Sequence, residues 1–309
     1  MRLAVETWAP EYGAAVEGAV FDEAAVPVDE SIEVDEGEWE PLRPGAPVEI
    51  PPLVFVDGVQ RIDAVAWVTT SVLTVEGRCA SLAAGAVRCA TGEQAEVVEA
   101  EVRRVILCAT DEVEPVVTRA GTYDAVVVVD DEHGPALDRA LHAARSDLEA
   151  LVTAKAASVG DLVVADGRLH AGLEPTGAVG YVKTHHSRYL SPGGHRVVEA
   201  LLEGERTPLF RIEGRHPRTS WYARLPGPAA HPWAGIVRLE VAGDRPVGGV
   251  AEQADLLTAL LPRFASEAHK DGRAPQNLYP IGGLEQHLRH RLGDREVVLR
   301  ALRRAAAKA

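Results

Sequence analysis

Cysteine, methionine and aromatic side chains are scarce in this chain of 309 residues, which has three Cys, one Met and 5% Phe, Trp and Tyr. Cys79, Cys89 and Cys108 are odd in number, and none stands in a Cys-x-x-Cys pair, so neither a disulfide framework nor a zinc site is expected. Their apolar neighbours fit small buried thiols in a reducing compartment. No apolar run reaches the roughly 18 residues of a membrane-spanning helix. The start, Met1-Arg2-Leu3-Ala4-Val5-Glu6, turns acidic at once and lacks the apolar core of a signal peptide. A cytoplasmic protein without a membrane segment is expected.

Positive charge is also in short supply. The formal net charge is −14, which counts against a polyanionic partner, because phosphate binding is driven by Lys and Arg. The total hides an asymmetry: residues 1–150 carry 30 acidic and 10 basic side chains, residues 151–309 carry 16 and 22. Any polyanion would meet the second half. Residues 10–50, rich in Glu, Asp and Pro, read as an exposed, irregular acidic segment, with a domain over 51–309.

From Pro51 the pattern changes to short strands, over 53–57, 64–70, 78–89 and 96–107, which suggests an antiparallel meander. A strand at 125–129 precedes a helical pattern over 134–157, where Leu137, Leu141, Ala144, Leu148 and Leu151 share one face. Strands follow at 162–165, 178–183, 207–213, 219–225 and 235–242, and helices at 196–202, 250–268, 281–291 and 294–307. Meander, helix, strand and further α/β elements are the order of a ribonuclease-H-like α/β core: a mixed sheet flanked by helices, with additional strands and C-terminal helices.

Two of the strand patterns run into the same dipeptide. Leu53-Val54-Phe55-Val56 leads to Asp57-Gly58, and Leu162-Val163-Val164-Ala165 leads to Asp166-Gly167. Asp-Gly after a strand is a common turn. It is also a way to bring carboxylates from rigid elements to one point, where a divalent metal removes the cost of burying their charge. Glu149, one position past Leu148 at the edge of its helix's apolar stripe, is a third candidate. Phosphodiester hydrolysis needs an activated water and relief of phosphate charge, and two Mg²⁺ or Mn²⁺ ions about 4 Å apart, held by carboxylates, supply both. Lys183, at the end of a strand, is placed to meet a phosphate. Arg211 and Trp221 belong to a stretch of interleaved basic and aromatic residues that suits single-stranded DNA, or equally a hairpin whose rings plug the core. Tyr279-Pro280 enters a helix that carries His287 two turns on, where an imidazole can bind metal or move a proton.

Val56-Asp57-Gly58, the helical Glu149, Ala165-Asp166-Gly167-Arg168-Leu169, Gly180-Tyr181-Val182-Lys183, and Tyr279-Pro280 followed by His287 together resemble the NurA nuclease family. The resemblance implies a ribonuclease-H-like, manganese-dependent (or magnesium-dependent) deoxyribonuclease acting in DNA end resection. It further implies a homodimer docked on a hexameric HerA-type ATP-driven translocase. Carried over, Asp57, Glu149 and Asp166 are the metal-binding acids, and Tyr279 and His287 complete the catalytic set, with His287 as a further metal ligand. Val59 stands where the family usually has Ser, and Arg168 where it usually has Pro. The alternative is an adaptor of the same fold with a degraded site, binding the translocase or DNA.

Overall fold

The computed structural model describes residues 22–23, 26–35, 37–70, 72–129, 133–157, 161–170, 173, 176–227 and 231–308. Two short strands, β1 (Asp22–Glu23) and β2 (Val28–Asp29), precede three long ones, β3 (Leu53–Thr69), β4 (Thr74–Cys89) and β5 (Glu96–Cys108). After β6 (Val116–Thr118) and β7 (Gly121–Val127), helix α1 (His133–Ala157) leads to β8 (Leu162–Asp166), β9 (Val179–Val182) and β10 (Ser187–Arg188). Helix α2 (Pro192–Ala200) precedes β11 (Phe210–Ile212), β12 (Arg218–Arg224) and β13 (Ile236–Ala242). The chain then forms α3 (Val247–Leu260), α4 (Tyr279–Arg291) and α5 (Arg295–Ala306).

Eleven strands share one sheet in the order β2-β11-β12-β13-β9-β8-β3-β4-β5-β7-β6, and β1 pairs with β10. The large sheet is mixed: β8–β9 and β5–β7 are parallel, whereas β11–β12, β12–β13 and β13–β9 are antiparallel. Helices pack on it, α3 against β12 and α5 against β6. This is the mixed α/β architecture expected.

The chain divides into two units. The first comprises Met1–Phe55, Arg88–Ala95 and Ala157–Gly282. Its strand β13 is buried at all seven positions, as a strand covered on both faces must be. Leu190, Val198, Phe210, Tyr222, Trp233 and Ile236 form a core cluster there, with Val28 and Trp39 packed on it. The Phe210 and Tyr222 rings stack at 5.6 Å. No described residue of 26–50 is buried, and two of its acids reach partners elsewhere in this unit. Glu33 grips the buried Arg206 through both carboxylate oxygens, at 2.8 and 2.9 Å. The Glu30 carboxylate accepts the Ser191 backbone N–H at the head of α2, where the helix dipole favours negative charge.

His185 lies within the same cluster, 5.7 Å from the Tyr222 ring and 5.3 Å from that of Trp233. Its Nε2 meets the Ile236 carbonyl at 3.1 Å. Burial pulls this imidazole down to about 4, so it is neutral in the folded chain at pH 5 to 6. The unfolded chain takes up the proton from about pH 6.5 downward, and the native chain does so only near 4, so stability is complete above about 6.5 and falls below it. In urea unfolding at pH 7, 6 and 5, His185→Phe is expected to flatten the loss of stability by roughly 1 kcal/mol per pH unit. An unchanged slope would contradict the assignment.

The second unit comprises Val56–Val87, Glu96–Ala156 and Gly283–Ala309. Two of the expected strands, 53–57 and 64–70, are one 17-residue strand, β3. Gly58 does not take a positive φ, whereas Gly167, after β8, has φ 92°. Only the second Asp-Gly pair is a turn, and Asp57 lies inside a strand. Further along β3, Asp63 is buried and accepts hydrogen bonds from Ser81 Oγ at 2.5 Å and the Tyr123 hydroxyl at 2.8 Å. Arg61, bonded to Asp63 at 2.7 Å, donates to the Gly293 carbonyl. This satisfies an otherwise orphaned backbone acceptor just past α4. Asp294 caps α5 by accepting the Val297 N–H at 2.9 Å. Cys79 and Cys108 are buried free thiols, as expected, and Cys89 is half-buried.

Candidate metal and DNA site

Each acid comes from a rigid element. Asp57 follows four fully buried residues of β3 and is itself 5% exposed, with its Oδ1 accepting the Gly58 N–H at 2.7 Å. Asp166 is the last residue of β8, paired with Tyr181 of β9, where Gly167 turns the chain away. Each of the two strands thus follows a buried run with a carboxylate held by the sheet.

Ile281, Leu284 and Leu288 form the buried face of α4. At about 100° per residue, His287 is turned roughly 90° away from the centre of that face and is exposed, whereas Glu285, beside Leu284, is half-buried.

Glu149 packs against Gly58, the residue that follows Asp57. A Cβ added at Gly58 would stand 2.2 Å from Glu149 Oε1, so only glycine leaves room for that carboxylate. Arg145 holds it one turn earlier, at 3.3 Å, and also donates to the Gly58 carbonyl.

Lys183 immediately follows β9, two residues past Tyr181. Its Nζ meets Asp166 Oδ2 at 2.8 Å and Asn277 Oδ1 at 3.0 Å. Asn277 is fully buried and donates in turn to Asp271 Oδ2 at 2.6 Å. The other oxygen of Asp166, Oδ1, is buried and takes no hydrogen bond from any described residue. A buried carboxylate oxygen without a donor costs stability unless something cationic meets it. Oxygen-only donors of this kind match Mg²⁺ or Mn²⁺. The residues present therefore fit a hard divalent ion.

The remaining candidates have contacts of their own. Tyr279 is 39% exposed, and its hydroxyl meets Glu267 at 3.0 Å, with Lys270 over its ring. Arg211 is half-buried on β11, beside a cavity of about 360 Å³ that Arg215, His216 and Asp244 also line. Its charge and, more strongly, hydrogen bonds from Ser31 hold the Asp29 carboxyl below the usual range. Trp221 is fully buried on β12 and Tyr222, its neighbour, is buried too, so neither ring is presented to a base. Alternation along a strand sends the two to opposite faces, and both faces are covered. Of the two residues at which the NurA pattern is departed from, Val59 is buried in β3 and Arg168 reaches the Tyr189 hydroxyl at 3.3 Å.

Sequence comparison addresses most of this span. No curated protein matches the chain. Among solved structures, the crystal structure of the NurA nuclease from Sulfolobus solfataricus is similar over 82% of this chain and 85% of that one, with 10% identity and a TM-score of 0.45. The NurA domain family model matches residues 51–281, which contain Asp57, Glu149, Asp166, Lys183 and Tyr279. With three quarters of its length matched by that model, the chain belongs to the NurA domain family.

Proposed function

We propose that the chain is a metal-dependent deoxyribonuclease that shortens DNA from its ends, built on a ribonuclease-H-like core. The observation that carries the reading is Asp166, a carboxylate at the end of β8 whose buried Oδ1 lacks a hydrogen-bond donor among the described residues. Membership of the NurA domain family supports it. Asp57 and Asp166 would hold Mn²⁺ or Mg²⁺, which when bound supplies an activated water and neutralises charge on the phosphate. Glu149, seated against Gly58, keeps a further acid beside Asp57. Tyr279 and His287, both exposed, meet the DNA strand in this reading and not the metal, and Arg211 contributes a phosphate contact. The setting is cytoplasmic, with a HerA-type translocase as partner and a homodimer as the working form. No helix among the described residues is long and apolar enough to cross a membrane.

The test is digestion of end-labelled linear DNA, single- and double-stranded, beside a covalently closed circle. Linear DNA is expected to shorten with Mn²⁺ and to stay intact with a chelator, while the circle survives. Shortening that persists in the chelator would overturn the metal-dependent reading. DNA binding without cleavage in any metal would favour the adaptor alternative.

A further inference from the structure

The end of the second unit runs against the charge of the chain. Residues 285–309 carry seven Lys and Arg side chains and three Asp and Glu, whereas the rest of the chain carries 25 and 43. One of those three acids, Asp294, has a carboxylate oxygen taken up in capping α5. Elsewhere the surplus of acid engages the arginines: Arg61 pairs with Asp63, Arg88 with Asp161 and Arg206 with Glu33. On α5, by contrast, Arg295, Arg300, Arg303 and Arg304 are exposed and form no ion pair with any described residue.

Helical phase gathers three of them. Val298 and Leu302 form the buried face of α5 and belong to the core cluster of Val75, Ile106 and Tyr123. At about 100° per residue, Arg300, Arg303 and Arg304 fall roughly 120–180° from the centre of that face. Glu296 shares this outward strip, which leaves it a net charge of +2. Arg300 bonds its own helix, from Nε to the Glu296 carbonyl at 3.2 Å, and its terminal nitrogens have no partner among the described residues. The helix dipole rewards cations in the last turn, which accounts for Arg303 and Arg304 but not for Arg300, a turn further back.

We propose that this strip of α5 is a DNA-backbone contact, in which Arg300, Arg303 and Arg304 each meet a phosphate. The proposal rests on the reading of DNA as the substrate and adds to it a surface outside the acids. The guanidinium fork matches phosphate oxygens in pairs and stays charged at any physiological pH. Residues 285–309 contain no Phe, Trp, Tyr or Met, and Val297 is the one large apolar side chain exposed among the described ones. Protein partners are gripped through such side chains, whereas DNA interfaces are polar and strongly positive. Without rings the strip cannot stack bases, so it holds the backbone and reads no sequence.

The experiment is fluorescence anisotropy of the full chain with a short labelled DNA duplex, in a chelator and at a series of salt concentrations. The unaltered chain is compared with two triple variants at Arg300, Arg303 and Arg304, all three to Gln or all three to Lys, with circular dichroism to confirm folding. Each lost phosphate contact lowers the slope of log affinity against log salt by about 0.9. The Gln variant is therefore expected to lose about 2.7 from that slope and to bind about tenfold or more weakly at low salt. The Lys variant keeps the charges and should keep the slope. An unchanged affinity and slope in the folded Gln variant would overturn the proposal, as expected if the arginines instead met an acidic protein surface. Equal losses in the Lys and Gln variants would overturn it too, since they would report helix structure and not charge. No binding by the unaltered chain at low salt would do the same. Duplex held through these arginines but cut in no metal would support the proposal while overturning the nuclease reading.

Discussion

Asp166→Asn is expected to reduce Mn²⁺-dependent cleavage of linear DNA by about a thousandfold or more, since metal stabilisation of developing charge is worth several kcal/mol and each 1.4 kcal/mol is about tenfold in rate. The substitution preserves volume, so the loss reports charge and ligation and not a cavity. Asp57→Asn should behave alike, since in this reading it supplies the second strand carboxylate. His287→Ala separates a contact to the DNA strand from metal ligation. If His287 meets the strand, His287→Ala leaves Mn²⁺ affinity intact and acts on turnover alone. Retention of more than a tenth of the activity in Asp166→Asn, or loss of Mn²⁺ binding in His287→Ala, would contradict this reading.

The second large effect falls on stability. Glu240 is fully buried on β13, with Oε1 accepting the Leu169 N–H at 2.8 Å and Arg218 Nη1 at 3.3 Å. Its Oε2 lies 3.0 Å from Nη2 of Arg238, which is 1% exposed. Glycine at position 180 makes this possible: a Cβ there would stand 2.6 Å from the Leu169 nitrogen and 3.0 Å from Glu240 Cγ. Glu240→Ala leaves the Arg238 charge buried without its carboxylate and Leu169 without its acceptor. Removing one partner of a buried pair costs about 3–5 kcal/mol, and the variant's urea midpoint should fall accordingly. Glu240→Gln keeps an acceptor for Leu169 and should lose less. Since Leu169 lies three residues past Asp166, both variants should also slow cleavage. A Glu240→Ala midpoint equal to that of the unaltered chain would refute the role.

Most elements were legible from periodicity. The helix expected at 134–157 is α1 at His133–Ala157, and the strand at 235–242 is β13 at Ile236–Ala242. Where the reading failed, a local signal competed with a tertiary one. Asp57-Gly58 looks like a turn because Asp and Gly favour turns in isolation, yet β3 runs through it, the glycine being needed for the close approach of Glu149. Arg218 to Arg224 looks like a nucleic-acid stretch because basic and aromatic residues alternate, yet β12 lies within the sheet and its rings fill the core.

The two Asp-Gly pairs mark the division between what sequence determines and what the fold decides. Sequence by itself places a carboxylate after each apolar run, because a core strand is recognisable from composition and length. It also carries the NurA motifs in their order. It does not distinguish a glycine that turns the chain, as Gly167 does at φ 92°, from one that yields space to a neighbouring side chain, as Gly58 does. Nor does it commit one oxygen of Asp166 to Lys183. These depend on which side chains from distant parts of the chain arrive at the same point, and distances of that kind exist only once the sheet and its helices have packed.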